Sequence, residues 1–152
     1  MKKYLLLGVS ALFTLGIFAM SLRVGTESAA LSSPLTAAVE TVLKGIFPHY
    51  DLAFDVLHEI VRKLAHVIEY AALGISYMMS AFAWRHRLWP VFLAGGLVAF
   101  ADEGLQAFVP DRGPSFLDAV CFDVPGFVIG ACAVILLYHL IRRKKVVSKD
   151  VS

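Results

Sequence analysis

The chain has 152 residues, 59% of them hydrophobic and 17% charged, with a mean hydropathy of +0.73. That much apolar surface is more than an ordinary water-soluble domain carries and predicts an integral membrane protein. The net charge of +2 comes largely from "RRKK" near the C-terminus, which reads as an anchor on anionic lipid and does not suggest a nucleic-acid partner.

Four apolar runs, 4–22, 64–84, 88–109 and 119–141, are each near the roughly 20 residues needed to cross about 30 Å of hydrocarbon. They are continuous rather than alternating, so the predicted fold is all-α: one membrane domain over 1–152, built as a bundle of four transmembrane helices, and not a barrel. The first run follows Lys2 and Lys3 and precedes Ser28-Ala29-Ala30, the elements of a secretory signal. Its length favours an uncleaved helix, because signal cores run only about 7 to 15 residues.

Segment 23–61 is predicted to be external. Within it, "SSPLTAAVETVLKGIF" predicts an amphipathic helix with Ser33 as N-cap and Pro34 at the first helical position. Leu35, Val39, Val42, Leu43 and Ile46 share one face, suited to the outer leaflet or to the bundle. Pro48 ends that helix, and Asp51 can cap the next, which runs from Leu52 into the second span.

On that second helix, "RKLAHVIEYAALG" sets Arg62, His66 and Glu69 on one stripe with Asp55 and Glu59, a polar face descending into the membrane. The third span ends in "AFADEGLQAFVP", with Asp102 and Gln106 one turn apart beyond Gly95 and Ala99, and Glu103 turned by 100°. The fourth opens with "FLDAVCFDVPGFVIG", where Asp123 shares a narrow face with Gly126, Gly130 and Ala133 while Asp118 sits near the interface. Pro125 frees the carbonyl of Cys121 and predicts a kink. Cys121 and Cys132, about 16 Å apart on one helix, cannot bridge and read as packing residues. His49, His58, His86 and His139 read as interfacial or exposed.

Lys2, Lys3, Arg85, Arg87, Arg142, Arg143, Lys144, Lys145 and Lys149 fall on one side of this topology. The positive-inside rule makes that side, with both termini and the tail 142–152, cytoplasmic. Every acid except Asp150 lies on the other side or in the outer ends of the spans. Four carboxylates, Glu69, Asp102, Glu103 and Asp123, would cost about 10 to 14 kcal/mol together at about 2.5 to 3.5 each in lipid. They are therefore expected to converge inside the bundle, against His66, Arg62, Lys63 and Arg112, as an outward-facing polar pocket.

These residues also carry a resemblance. "RKLAHVIEYAALG" and "DEGLQAFVPDRGPSFLDAVCFDVPGFVIG" resemble the VanZ-like membrane proteins, whose pattern joins R/K-K-x-x-H-x-x-E-Y-x-x-L-G to D-E-x-x-Q-x-F-x-P-x-R and D-x-x-x-x-D-x-x-G-x-x-x-G. The match covers roughly Arg62 to Gly130, and only Gly104 and Pro125 look atypical. By resemblance the site comprises Lys63, His66, Glu69, Tyr70, Asp102, Glu103, Gln106, Arg112, Asp118, Asp123 and Gly126, in a bacterial cytoplasmic membrane. The family is associated with low-level resistance to teicoplanin, a lipid-bearing glycopeptide.

Three readings of the cluster stay open. It is a structural ion network, a pocket in which Arg62, Lys63 and Arg112 hold the headgroup of a membrane lipid or lipid-linked envelope molecule, or an enzyme centre. An enzyme would use His66, Glu69, Asp102 and Asp123 in acid–base or metal-assisted chemistry, although no nucleophile motif or metal signature appears. The sequence assigns no cofactor, metal or oligomeric state, and the binding reading leads.

Overall fold

The computed structural model describes residues 1–47, 49–84, 87–113 and 115–150, with 144–150 as backbone. The roles read for Pro48, Arg85 and His86 lie outside the described residues, as do the side chains of Lys144, Lys145 and Lys149. The described chain is all helical: α1 (Lys2–Ser21), α2 (Gly25–Ile46), α3 (Phe54–Trp84), α4 (Trp89–Gln106), a single turn α5 (Phe116–Asp118), a π-helical turn Ala119–Asp123, and α6 (Val124–Asp150).

Three helices are long and apolar enough to cross a membrane: Lys2–Ser21, Phe54–Trp84 and Phe116–Arg143. The expected third span, α4, is not among them, because Asp102, Glu103 and Gln106 occupy its last turns. All three of those side chains are buried within the protein.

Polar pairs fix how the helices run. Lys3 O accepts from Trp84 Nε1 at 3.2 Å, Ser10 and Ser80 bond at 3.2 Å, and Thr14 and Tyr77 at 2.9 Å, so α1 lies antiparallel to α3. Phe82 stacks on Tyr138 with ring centroids 4.5 Å apart. At the other end His66 meets Asp123, so α6 runs alongside α3 in the same sense. The hydrogen-bonded pairs satisfy polar groups in a medium with no water to serve them.

The contact between α3 and α6 is the most extensive in the bundle. It depends on glycine, because a Cβ at Gly126 would lie 2.6 Å from the Val67 carbonyl oxygen and one at Gly130 would overlap the Ala71 carbonyl. In return, Gly74 of α3 accepts the backbone at Phe127 and Ala131. Small residues here let two backbones touch, which is how helices associate where lipid offers no hydrophobic gain. Phe127 fills the space over Gly95 of α4 and meets Tyr77 edge-on at 5.6 Å, completing a core with Tyr70, Leu73, Met78 and Ala99.

At about 1.5 Å per residue, the 31 residues of α3 reach about 46 Å, well beyond a 30 Å core. Its first turns project from the bundle and carry α2, through the buried Thr36 and a 2.6 Å bond between Ser32 Oγ and His58 Nε2. The start of α2 corrects the sequence reading. The helix begins at Gly25, and Pro34 lies inside it. Ser32 and Ser33 donate back to carbonyls one turn earlier, Ser33 to Ala29 O at 2.8 Å, and so act within the helix instead of capping it.

Pro125 sits just after an irregular turn of the helix. The five-residue π-turn just before it widens the helix, with Val124 N–H bonded to Ala119 O. A wider turn is a recognised way for a helix to take up an irregularity in its hydrogen-bond ladder. Ala131, not Ala133, joins the core beyond Gly126 and Gly130. Cys121 and Cys132 are free and exposed rather than packed.

Candidate functional site

The polar groups gather at the end of the bundle where α1 and α4 finish and α6 begins. α3 supplies Arg62, Lys63, His66, Glu69 and Tyr70 from successive turns of one helix. α4 adds Asp102, Glu103 and Gln106 from its last turns, and the π-turn ends in Asp123.

His66 Nδ1 and Asp123 Oδ1 are 3.2 Å apart, and Asp123 is fully buried. Asp102, also fully buried, accepts at Oδ1 from Ser21 Oγ and at Oδ2 from Gln106 Nε2 at 3.4 Å. Glu103 faces the turn after α4 and accepts at Oε2 from Ser115 N–H at 2.7 Å. Asp123 Oδ2 is buried with no hydrogen-bond partner among the described residues, and the buried hydroxyl of Tyr70 faces Asp102.

Among the described residues, the cations stand around the acids without pairing to the buried ones. Lys63 lies 2.9 Å from Glu59 and 3.8 Å from Asp118, at the rim. Arg112 donates through Nη2 to Met20 O at 2.9 Å, through Nε to Arg23 O at 3.2 Å and through Nη1 to Gln106 Oε1 at 3.4 Å. It thus caps the C-terminal end of α1, where free carbonyls and the helix dipole favour a cation. Burial first, then neighbouring Arg62, holds the Arg112 guanidinium below its usual range, while Asp102, Glu103 and Glu69 oppose them. It remains a cation near neutrality.

Among the described residues, no Lys or Arg forms an ion pair with Glu69, Asp102, Glu103 or Asp123. Neutral donors and one imidazole serve the buried acids. Arg62 forms no ion pair either, and its exposed side chain stands where two cavities meet.

The first cavity, about 210 Å³, lies beneath α2 and between α1 and α3, with Arg62, His66, Glu69, Asp102 and Arg112 on its walls. The second, about 20 Å³, reaches toward α6 past Lys63, Glu103, Gln106, Asp118 and Asp123. His66 borders both. Glu69 is exposed and also borders an apolar groove of about 350 Å³ between α1 and α3, formed by Leu12, Phe13, Gly16, Ile17 and Met20. A larger cavity, about 880 Å³, lies at the opposite end beside Trp84 and Arg87. Its buried hydroxyls, Ser10 and Ser80, already bond to each other, so the converging chemistry is at the first end.

The residues singled out from the sequence, Arg62 to Tyr70, Asp102 to Gln106, Arg112, Asp118 and Asp123, are thus drawn together by four separate segments. Ser21 was not singled out. Its signal is a stripe of Ser10, Thr14 and Ser21 at helical spacing on an otherwise apolar span, all turned toward the bundle.

A family model described as VanZ/LLP1 matches residues 4–142, nearly the whole described chain. The chain belongs to the VanZ/LLP1 family. The match spans α1 through most of α6, so every segment of the polar cluster belongs to the VanZ/LLP1 region. No significant match was found among curated proteins or solved structures.

Proposed function

We propose that this VanZ/LLP1 protein is a four-span protein of the bacterial cytoplasmic membrane that holds an anionic amphiphile of the cell envelope at its outer face. The headgroup sits in the polar cavity under α2, and the chain lies in the groove between α1 and α3. The observation that carries this is the junction of the two spaces: Arg62, without an ion pair among the described residues, stands over a polar cavity that shares Ile17, Met20 and Glu69 with an apolar groove. An amphiphile has that division of polarity, and a guanidinium is suited to phosphate or carboxylate. Sequestering or shielding such a lipid-linked molecule would lower susceptibility to a lipoglycopeptide such as teicoplanin.

The fourth span is α4. It begins close to Trp84, where α3 ends, and finishes beside Ser21, where α1 ends, so it covers the same distance as α1. Its 18 residues reach about 27 Å, and its polar last turns face protein instead of lipid. The end opposite the site carries Lys3, 4.4 Å over the Trp84 ring, and Arg142, 5.5 Å over the Tyr138 ring. Basic residues there make that end, and both termini, cytoplasmic. Reporter fusions after Arg87, Gly113 and Arg143 are expected to read inside, outside and inside. If Arg87 and Gly113 report the same side, α4 does not cross.

Binding is tested by the amphiphiles that accompany the protein through purification in mild detergent. Wild type is expected to enrich one anionic class over bulk lipid, and Arg62→Gln to reduce that enrichment at least about tenfold, since a charge-assisted contact is worth about 1.5 to 3 kcal/mol. Equal enrichment in both would reject the headgroup assignment.

A further inference from the structure

We infer that His66, Asp102 and Asp123 form a binding site for a divalent metal ion at the floor of the polar cavity, with Zn²⁺ and Mn²⁺ the ions best matched to it. One ligand atom from each residue lies within 4.8 Å of the others, and both aspartates are fully buried. Donors on opposite sides of one ion are about 4.2 Å apart at metal–ligand distances of about 2.1 Å. Closing the three onto an ion therefore needs a shift of less than about 1 Å.

The charge balance also favours a dication. Two carboxylates are buried side by side, and among the described residues no Lys or Arg pairs with either. Buried carboxylates are normally paired or bound to metal. A dication with two carboxylates and a neutral imidazole leaves the floor of the cavity uncharged.

Asp123 Oδ2 is buried, has no hydrogen-bond partner among the described residues, and belongs to the side chain whose other oxygen faces His66. The buried hydroxyl of Tyr70 lies beside Asp102 and can donate to a carboxylate lone pair that an ion leaves free.

The outer partners fit as well. Ser21 Oγ and Gln106 Nε2 hold the two oxygens of Asp102, the orienting contact that metal-binding carboxylates usually have. One imidazole and two carboxylates suit Zn²⁺ or Mn²⁺ better than a soft ion, and oxygens from the adjoining cavity can complete the shell. The inference shares a wall with the amphiphile pocket but does not depend on it.

The test uses the full chain in detergent, stripped with chelator and dialysed against Zn²⁺ or Mn²⁺, with bound metal counted by mass spectrometry. Wild type is expected to take up one equivalent per chain of at least one of the two ions. His66→Gln and Asp123→Asn should weaken that binding at least about 100-fold, and Ser21→Ala about tenfold, as loss of an orienting contact does. His58→Gln, at the α2 contact, should leave it unchanged. Co²⁺ in place of the ion should show, in wild type, visible d–d bands distinct from those of aqueous Co²⁺, a readout that needs no variant to fold. Failure of wild type to bind either ion, or full binding by a folded Asp123→Asn, overturns the site. Either result leaves amphiphile enrichment by wild type as a separate observation.

Discussion

Gly130→Val is expected to abolish the folded bundle. A Cβ at this position would overlap the Ala71 carbonyl, and its nearest neighbours are backbone atoms of α3 that cannot rotate away. The helices would have to separate, which also removes the fit of Gly126 against Val67 and of Gly74 against Phe127. Overpacking typically costs about 1 to 3 kcal/mol when side chains can adjust. Here the obstruction is backbone on backbone, so a loss of at least about 3 kcal/mol is expected. Gly96→Ala is the control, because its Cβ meets nothing within 4 Å and alanine improves helix propensity. The midpoint of unfolding in a denaturing detergent should fall steeply for the first variant and hold or rise for the second.

The second large effect is expected at Arg112. Its three donors bind two backbone carbonyls near the end of α1 and the side chain of Gln106, which in turn bonds Asp102 and Glu103. Nearby, Gly25 N–H donates to Pro110 O at 3.3 Å, and Asp111 adopts a left-handed φ of 59°. The turn after α4 is therefore fastened to the corner between α1 and α2. Lysine keeps the charge but has no planar fork to reach three acceptors at once. Arg112→Lys is expected to remain folded, to raise hydrogen exchange in residues 107–113 at least about tenfold, and to reduce amphiphile enrichment by a similar factor. Wild-type exchange in that turn would contradict the fastening role.

Much of this arrangement is legible in the sequence because its causes are local. Apolar runs locate α1, α3 and α6, and helical spacing puts His66 and Glu69 on the stripe of Arg62. Gly126 and Gly130 mark the face of α6 that meets another backbone, so Asp123 one turn before them had to point inward. α4 was placed by the same rule, but its acids keep it below the apolarity of a free-standing span.

What was not legible depends on partners that leave little sequence signal. Ser33-Pro34 has the local grammar of a helix start, yet hydroxyl bonds to preceding carbonyls and packing at Thr36 carry α2 through it. Arg112 reads as a ligand for an anion, and nothing local in the sequence shows that it also binds backbone carbonyls at the end of α1. The π-turn before Pro125 depends on how α6 seats against α3. No residue in "AVCFD" announces it.

The most direct test of the central claim fills the groove between α1 and α3 without touching the polar residues. Gly16 lines that groove, and a Cβ there meets nothing within 4 Å, so Gly16→Trp adds a large apolar ring where the amphiphile's chain is placed. Gly8→Trp, equally unobstructed on α1 but outside the groove, is the matched control. Amphiphile co-purifying with each protein is measured by mass spectrometry of its lipid extract. Enrichment in wild type and Gly8→Trp, with a loss of at least about tenfold in Gly16→Trp, is the predicted result, since about 1.4 kcal/mol of lost chain contact suffices for a factor of ten. Undiminished enrichment in Gly16→Trp would contradict the claim that this groove holds the chain of a bound amphiphile.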